Sequence, residues 1–232
     1  MEKAVIIFSI DDGRHDLYEL AKEILIPNNV PATFNITTER GYSKTIPSIT
    51  KEQLLEIAES PLFEIANHSR FHTNEFEDIR NGYLDICELF GYDSSKPIGF
   101  ASPYSQLSIE FVNENIEALN GLGVKYVRTC REDYFNRDEN VVALTSFPVS
   151  FHTTLEEMKH LADVAVENKY CLIYLMHSVF KKDDANYGNE WSYDYEKFAE
   201  LVSYLKELEH DGKIVIMTTM DYVDMQMKKA NE

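Results

Sequence analysis

Cysteine is scarce in this chain. The three present, Cys87, Cys130 and Cys171, stand far apart and form no C-x-x-C pair. An odd number at such spacing offers neither a disulfide framework nor a thiolate zinc site. Long apolar runs are missing as well. The first, Val5-Ile6-Ile7-Phe8, is too short for a signal-peptide core and soon meets Asp11-Asp12. No stretch approaches the ~18 apolar residues of a membrane helix. The expectation is a reduced, cytoplasmic protein. Basic charge is also short: 22 Lys and Arg face 40 Asp and Glu, a formal net charge of −18. A surface that acidic repels phosphate backbones and anionic headgroups, which argues against nucleic acid and membrane partners. It suits a neutral or cationic substrate or a bound metal cation, although most of those carboxylates need only keep the protein soluble. No repeat, low-complexity segment or Gly/Ser linker divides the chain, so residues 1–232 are read as one domain. No patterning specifies an oligomeric state.

What is present is a core-forming composition. Hydrophobic residues make up 44% and include 13 Phe and 14 Tyr, which separates the chain from disordered sequences. Short β-rich runs are read at Ala4–Ile10, Ala32–Ile36, Phe63–Ala66, Ile98–Ala101, Tyr126–Thr129, Val141–Leu144, Leu172–Met176 and Ile214–Thr218. Between them, apolar residues recur at three- and four-residue spacing, as in Leu17, Leu20, Ala21, Ile24 and Leu25. The last long helical pattern, Tyr195 to Leu208, closes on His210-Asp211-Gly212. Strand–helix alternation predicts an α/β fold with a parallel sheet. About seven to eight such strands favour a distorted (β/α) barrel over an open doubly wound sheet. No G-x-G-x-x-G follows a strand, which disfavours a dinucleotide site. Barrels of this kind place their active sites just past the strand C-termini, so those positions are read next.

The first strand ends in Asp11-Asp12-Gly13. Adjacent carboxylates repel one another, and a cation on one of them relieves that repulsion and leaves the other as a base. The third strand ends in Asn67-His68-Ser69-Arg70-Phe71-His72. Two His four residues apart converge on one ion if the segment forms a helical turn. Two imidazoles with one carboxylate leave coordination positions open, a catalytic rather than structural pattern. The seventh run leads straight into His177, and the fourth into Ser102-Pro103-Tyr104, where proline forces a turn. Each signal alone has an ordinary structural explanation, as an acidic turn, surface His or a packing His. Their joint placement at strand ends is what points to a site.

In that order the motifs resemble those of the polysaccharide deacetylases, the group with the NodB homology domain, also called carbohydrate esterase family 4. The matching residues are Asp11-Asp12-Gly13, His68-Ser69-x-x-His72, Pro103-Tyr104 and Leu175-Met176-His177, with Pro31-Ala32-Thr33-Phe34 as the second strand. The resemblance implies that Asp12, His68 and His72 bind a divalent metal, usually Zn2+, with Co2+, Ni2+ or Mn2+ as other choices. It implies Asp11 as base, His177 as acid, and the Tyr104 backbone N–H as oxyanion donor. The substrate is then an N-acetylated carbohydrate, and acetate is released. One departure stands out: the Arg that usually precedes the Pro-x stretch is replaced by Ala101. Arg128, at the end of the fifth strand, is expected to take its place beside Asp11.

Pro103, Tyr104 and Trp191 are the expected substrate contacts, although core or loop packing is the more ordinary use of Trp191. His152 is a further candidate for the pocket. His15, His160 and His210 are read as solvated, and Lys181–Asp184 as an exposed loop. Two other readings stay open: a hydrolase of another non-peptide C–N bond on the same fold, and an inactive carbohydrate-binding relative.

Overall fold

The computed structural model describes residues 3–39, 46–131, 133–137 and 141–230. Its centre is β1 (Ala4–Asp12), buried along its whole length. A strand of nearly continuous Val, Ile and Phe is suited to this position, covered on both faces. It pairs in parallel with three others: β2 (Ala32–Ile36), β9 (Cys171–Met176) and β12 (Ile214–Ile216). Beyond β2 follow β3 (Phe63–Asn67), β4 (Ile98–Ala101), β5 (Val124–Arg128) and the short β7 (Ala143–Leu144). After Thr145 and Ser146 the chain reaches β8 (Phe147–Pro148), which pairs with β9 and nearly closes the barrel. The remaining member, β6 (Phe135–Asn136), is antiparallel to β9. A separate pair, β10 (Ser178–Phe180) and β11 (Ser192–Asp194), follows directly after β9.

The expected (β/α) barrel is therefore present, and the eight β-rich runs match strands of its sheet. Several boundaries differ. The run ending at Thr218 stops at Ile216, because Thr218 caps α7 (Thr219–Lys229) by accepting from Asp221 N–H. That helix was not read from the sequence. Its polar composition hides the few residues it buries, among them Tyr222 and Val223. The strands β6, β8, β10 and β11 have only two or three residues each, too few to show a period. Among the described residues no helix is long and apolar enough to cross a membrane.

Period-two alternation along β1 decides which side chains enter the barrel. Ile6, Phe8 and Ile10 pack outward in a cluster with Met158, Phe198 and Leu201. Met158 comes from α5 (Leu155–Asn168), and Phe198 and Leu201 from α6 (Tyr195–His210). Val5 and Ile7 instead join Tyr126, Leu144 and Ile173 inside the barrel. Ser9 and Asp11 continue the inner series, so Asp11 reaches the barrel mouth from within.

Candidate functional site

Asp12 should, by the same alternation, face the helices. It does not, because its φ is +78°, in the left-handed region. The turn swings its carboxylate back over the strand ends, and Gly13 (φ +69°) completes the bend. Ser69, His72, Tyr104 and Ser105 also have positive φ, so five of the seven such non-glycine residues described gather around one mouth. Backbone held in this sparsely populated region costs free energy and concentrates at functional sites.

His68 and His72 converge through a loop, not through the helical turn expected from their spacing. Their Nε2 atoms lie 3.1 Å apart, and Asp12 Oδ1 is 3.5 Å from each. The loop is held from beneath. Asn67 accepts from Ser69 N–H and donates to the Ile79 carbonyl. Asp78 accepts from the N–H groups of Phe71 and Thr73 and from the Thr73 hydroxyl. Asp78 and Gly82 lie on α3 (Phe76–Phe90), which packs so closely that a Cβ at Gly82 would sit 2.6 Å from the Ser69 carbonyl carbon. Neither Asn67 nor Asp78 stood out in the sequence, since their partners are local backbone.

Do these residues fit a divalent metal? Four observations say that they do. The donor atoms of Asp12, His68 and His72 all lie within 4.8 Å of one another. Edges of 3.1–3.5 Å match the roughly 3.3–3.4 Å between ligands of a tetrahedral ion with bonds of about 2.0–2.1 Å. Asp12 Oδ1 is buried with no hydrogen-bond partner among the described residues. Finally, His68 Nδ1 lies 2.8 Å from the Ala101 carbonyl, which calls for a proton on Nδ1 and leaves the Nε2 lone pair toward Asp12.

Asp11 occupies a different environment 3.8 Å from His68 Nε2. It accepts from Asn35 Nδ2 at 2.8 Å, and Arg128 Nη2 donates to both of its oxygens. Ala101 is the register partner of Arg128 across the β4–β5 ladder. The guanidinium is thus delivered from the adjacent strand at the level where Ala101 stands. Arg128 is 1% exposed, so only a close carboxylate makes its burial tolerable. Burial pushes the Asp11 carboxyl up, but Arg128 first and then His68 outweigh it, and the group lies below its usual range. For Asp12 burial also pushes upward, but the adjacent His68 and then His177 and Arg14 outweigh it, and the group lies well below that range. Burial and the neighbouring His68 lower His72 to about 4. Both carboxylates are ionised and His72 is a neutral donor at neutral pH, as cation binding requires. For His68, in contrast, burial is outweighed by Asp11 and Asp12, which raise it, so a cation bound there would displace a proton.

His177 enters from β9, on the side of β1 away from β2 and β3. Burial lowers its proton affinity, and its Nδ1 has no partner among the described residues. Its ring lies 5.4 Å from that of Trp191. Opposite, the Tyr104 ring lies 4.6 Å from His72. Together these residues surround a cavity of about 370 Å³, whose wall also includes Arg14, Ser102, Cys130, Pro148 and Leu175. Two aromatics thus flank the candidate centre, with Tyr104 75% and Trp191 43% exposed.

Some expected residues are placed elsewhere. Pro103 is buried and does not line the cavity; its carbonyl accepts from Asn74 and it shapes the Tyr104 turn. His152 is exposed outside the cavity. His15 is not free in solvent, because it pairs with Asp184 at 3.5 Å and stacks on Phe180. His160 and His210 are exposed, as expected. The Lys181–Asp184 loop is anchored, since Lys181 pairs with Glu19 and Glu23. Two site residues escaped the sequence reading. Asn35 bonds Ser9 and Asp11 from inside β2, and Arg14 pairs with Asp12 Oδ2 at 2.7 Å. Arg14 follows the Asp-Asp-Gly turn directly, which is the signal that was available.

Comparison with known proteins supports the same picture. No curated protein sequence matches the chain. Among solved structures, a candidate polysaccharide deacetylase from Mycobacterium smegmatis superposes with a TM-score of 0.62 at 12% identity, over 99% of this chain and 92% of that one. IcaB from Ammonifex degensii gives 0.55 at 21% identity, over 68% and 72%. A family 4 acetyl xylan esterase from Clostridium thermocellum, solved with a cobalt ion, gives 0.52 at 17%, over 95% and 91%. At these identities the likeness speaks to the fold. The polysaccharide deacetylase family profile matches residues 1–145, more than half of the chain, and takes in Asp11, Asp12, His68, His72 and Arg128. The chain belongs to the polysaccharide deacetylase family.

Proposed function

We propose that this protein is a metal-dependent hydrolase that removes the N-acetyl group from an amino sugar or an N-acetylated oligosaccharide, releasing acetate. The observation that carries the reading is the pairing of two differently tuned carboxylates: Asp12 turned toward two imidazole nitrogens, and Asp11 held beside them by Arg128. Asp12, His68 and His72 would hold the cation, with Zn2+ the first choice and Co2+, Ni2+ or Mn2+ as others. When bound there, the ion supplies Lewis acidity to a water and to the acetamide carbonyl.

The chain's own groups account for the rest. Asp11 takes the proton of the attacking water, and Arg128 and Asn35 fix the carboxylate so that it is ionised and aimed. The Tyr104 N–H, presented by a turn with φ +54°, donates to the developing oxyanion. His177 carries a proton to the departing amine from the opposite side of the cavity. Tyr104 and Trp191 offer two exposed ring faces to a sugar. The reading also places the protein in the cytoplasm, in keeping with three free thiols.

A cavity of about 370 Å³ also admits a small cyclic amide, so hydrolysis of another C–N bond is the second reading. The inactive-relative reading leaned on the missing Arg at position 101, and the Arg128–Asp11 pair removes that support. The test is elemental analysis for bound metal together with acetate release from N-acetylglucosamine oligomers in added Zn2+ or Co2+. Metal with acetate release supports the proposal. Metal with turnover of small amides alone would move the assignment to the second reading, and a protein that takes up no metal would end it.

A further inference from the structure

Arg14 has no part in the roles above, yet it is built into the cavity wall. Its Nη2 lies 2.7 Å from Asp12 Oδ2, and the side chain is only 12% exposed. Nη1 donates to Ser178 Oγ at 3.3 Å, which gives the guanidinium a second anchor on the segment after His177. Asp12 Oδ1, in contrast, has no hydrogen-bond partner among the described residues and faces both imidazoles at 3.5 Å. The two oxygens of one carboxylate are therefore divided between two kinds of partner.

We propose that Arg14 is a positioning residue that keeps Asp12 a single-oxygen ligand, so that a position on the bound cation stays open for water and substrate. The inference rests on Asp12, His68 and His72 being the metal ligands. A carboxylate binds a cation through one oxygen or both, and nothing in two imidazoles forbids the second mode. Two-oxygen binding would fill a position that a catalytic site keeps open. Arg14 prevents it by occupying Oδ2 with a charge-assisted hydrogen bond, and the Ser178 anchor opposes the rotation that would release it. The same guanidinium repels the incoming cation, so the site holds metal less tightly than its three ligands alone would. A residue that only braced the fold would have the opposite effect on affinity, and that difference makes the role measurable.

The experiment uses the full chain, with Zn2+ titrated against a chromophoric chelator and visible spectra of the Co2+-loaded protein. Wild type, Arg14→Met, Arg14→Lys and His68→Ala are compared. Arg14→Met is expected to bind Zn2+ about ten-fold more tightly and to lose the intense visible Co2+ bands that mark a low coordination number. Turnover falls with them, while Arg14→Lys, which retains the cation, keeps the wild-type spectrum. Unchanged or weaker Zn2+ binding with an unchanged Co2+ spectrum in Arg14→Met overturns the proposal. If that variant does not fold, Ser178→Ala leaves the Arg14–Asp12 pair and removes the second anchor together with the Ser178 bond to Asp16, and a wild-type Co2+ spectrum there overturns it equally. His68→Ala separates the two levels. Full metal retention in that variant refutes the ligand set itself. Metal loss there, with Arg14→Met matching wild type, refutes only the role of Arg14.

Discussion

Arg128→Ala is the perturbation that tests the site most directly. The substitution leaves Asp11, 3% exposed, without the guanidinium that bonds both of its oxygens, while the bond from Asn35 remains. Removing one partner of a buried ion pair costs about 3–5 kcal/mol, which for a chain of this size lowers Tm by roughly 6–20 °C. The cost depends on pH, and its sign follows from Asp11. In the native protein the Asp11 carboxyl lies below its ordinary value, so its contribution is present above that value and lost as pH falls through the folded one. Without Arg128 the burial that pushes Asp11 up meets less opposition. Its carboxyl then rises, and stability is lost as pH climbs through the raised value. The difference between the two proteins should therefore widen from about pH 4 to pH 8. A compensating variant sharpens the test. Ala101 is the register partner of Arg128, so exchanging the two (Ala101→Arg with Arg128→Ala) keeps side-chain volume and points the guanidinium to the same side of the ladder. Thermal unfolding at pH 5 and pH 8, with acetate release for kcat/KM, measures both effects. The exchange should recover most of the lost Tm at pH 8 and at least about ten-fold in kcat/KM. An Arg128→Ala protein with wild-type Tm at both pH values and wild-type turnover would refute the reasoning.

Three further outcomes are expected. Asp16 is buried and accepts from Val179 N–H, and burial lifts its carboxyl from 3.8 to about 6. The ionised form thus weakens the fold by about 3 kcal/mol above pH 6, a penalty that fades as pH falls toward 4. Asp16→Asn keeps an acceptor and should raise Tm at pH 8 but hardly at pH 4; a gain independent of pH would contradict this. Gly82→Ala places a Cβ 2.5 Å from Asn67 Oδ1 and 2.6 Å from the Ser69 backbone. It should cost about 1–3 kcal/mol in denaturant melts and weaken Zn2+ retention, because the His68–His72 loop must move; unaltered metal affinity would show that the loop does not depend on α3. Asp11→Asn should keep stoichiometric metal and lose at least about a hundred-fold in kcat, and near wild-type turnover would remove Asp11 as the base.

Local chemistry in the sequence determined a good deal. Runs such as Val5-Ile6-Ile7-Phe8 and Leu172-Ile173-Tyr174-Leu175 are apolar on both faces and can only be interior strands of a covered sheet. Once those runs are placed, barrel geometry puts Asp11, Asp12, His68, Arg128 and His177 at strand ends, because a strand's last residue is the first to leave the core. Other features depend on partners distant in sequence and leave no periodic trace. Arg128 meets Asp11 across 117 residues only because the barrel curls β5 back toward β1, with β2, β3 and β4 between them in the sheet. Arg14 and Asp16 look like ordinary turn residues until the barrel carries Ser178 and Val179 beside them. Pairing with Asp184 and stacking on Phe180 likewise turned His15 from an apparently solvated residue into a fixed one. The convergence of His68 and His72 was legible as a spacing, but its route was not. It runs through left-handed residues that the sequence would have assigned to glycine, and the packing of α3 and the loop N–H bonds to Asn67 and Asp78 help hold them there. Residue type and short-range order thus determined which groups are available at the barrel mouth. Which group touches which, and with what charge, was decided by tertiary structure, because burial and long-range pairing set those energies.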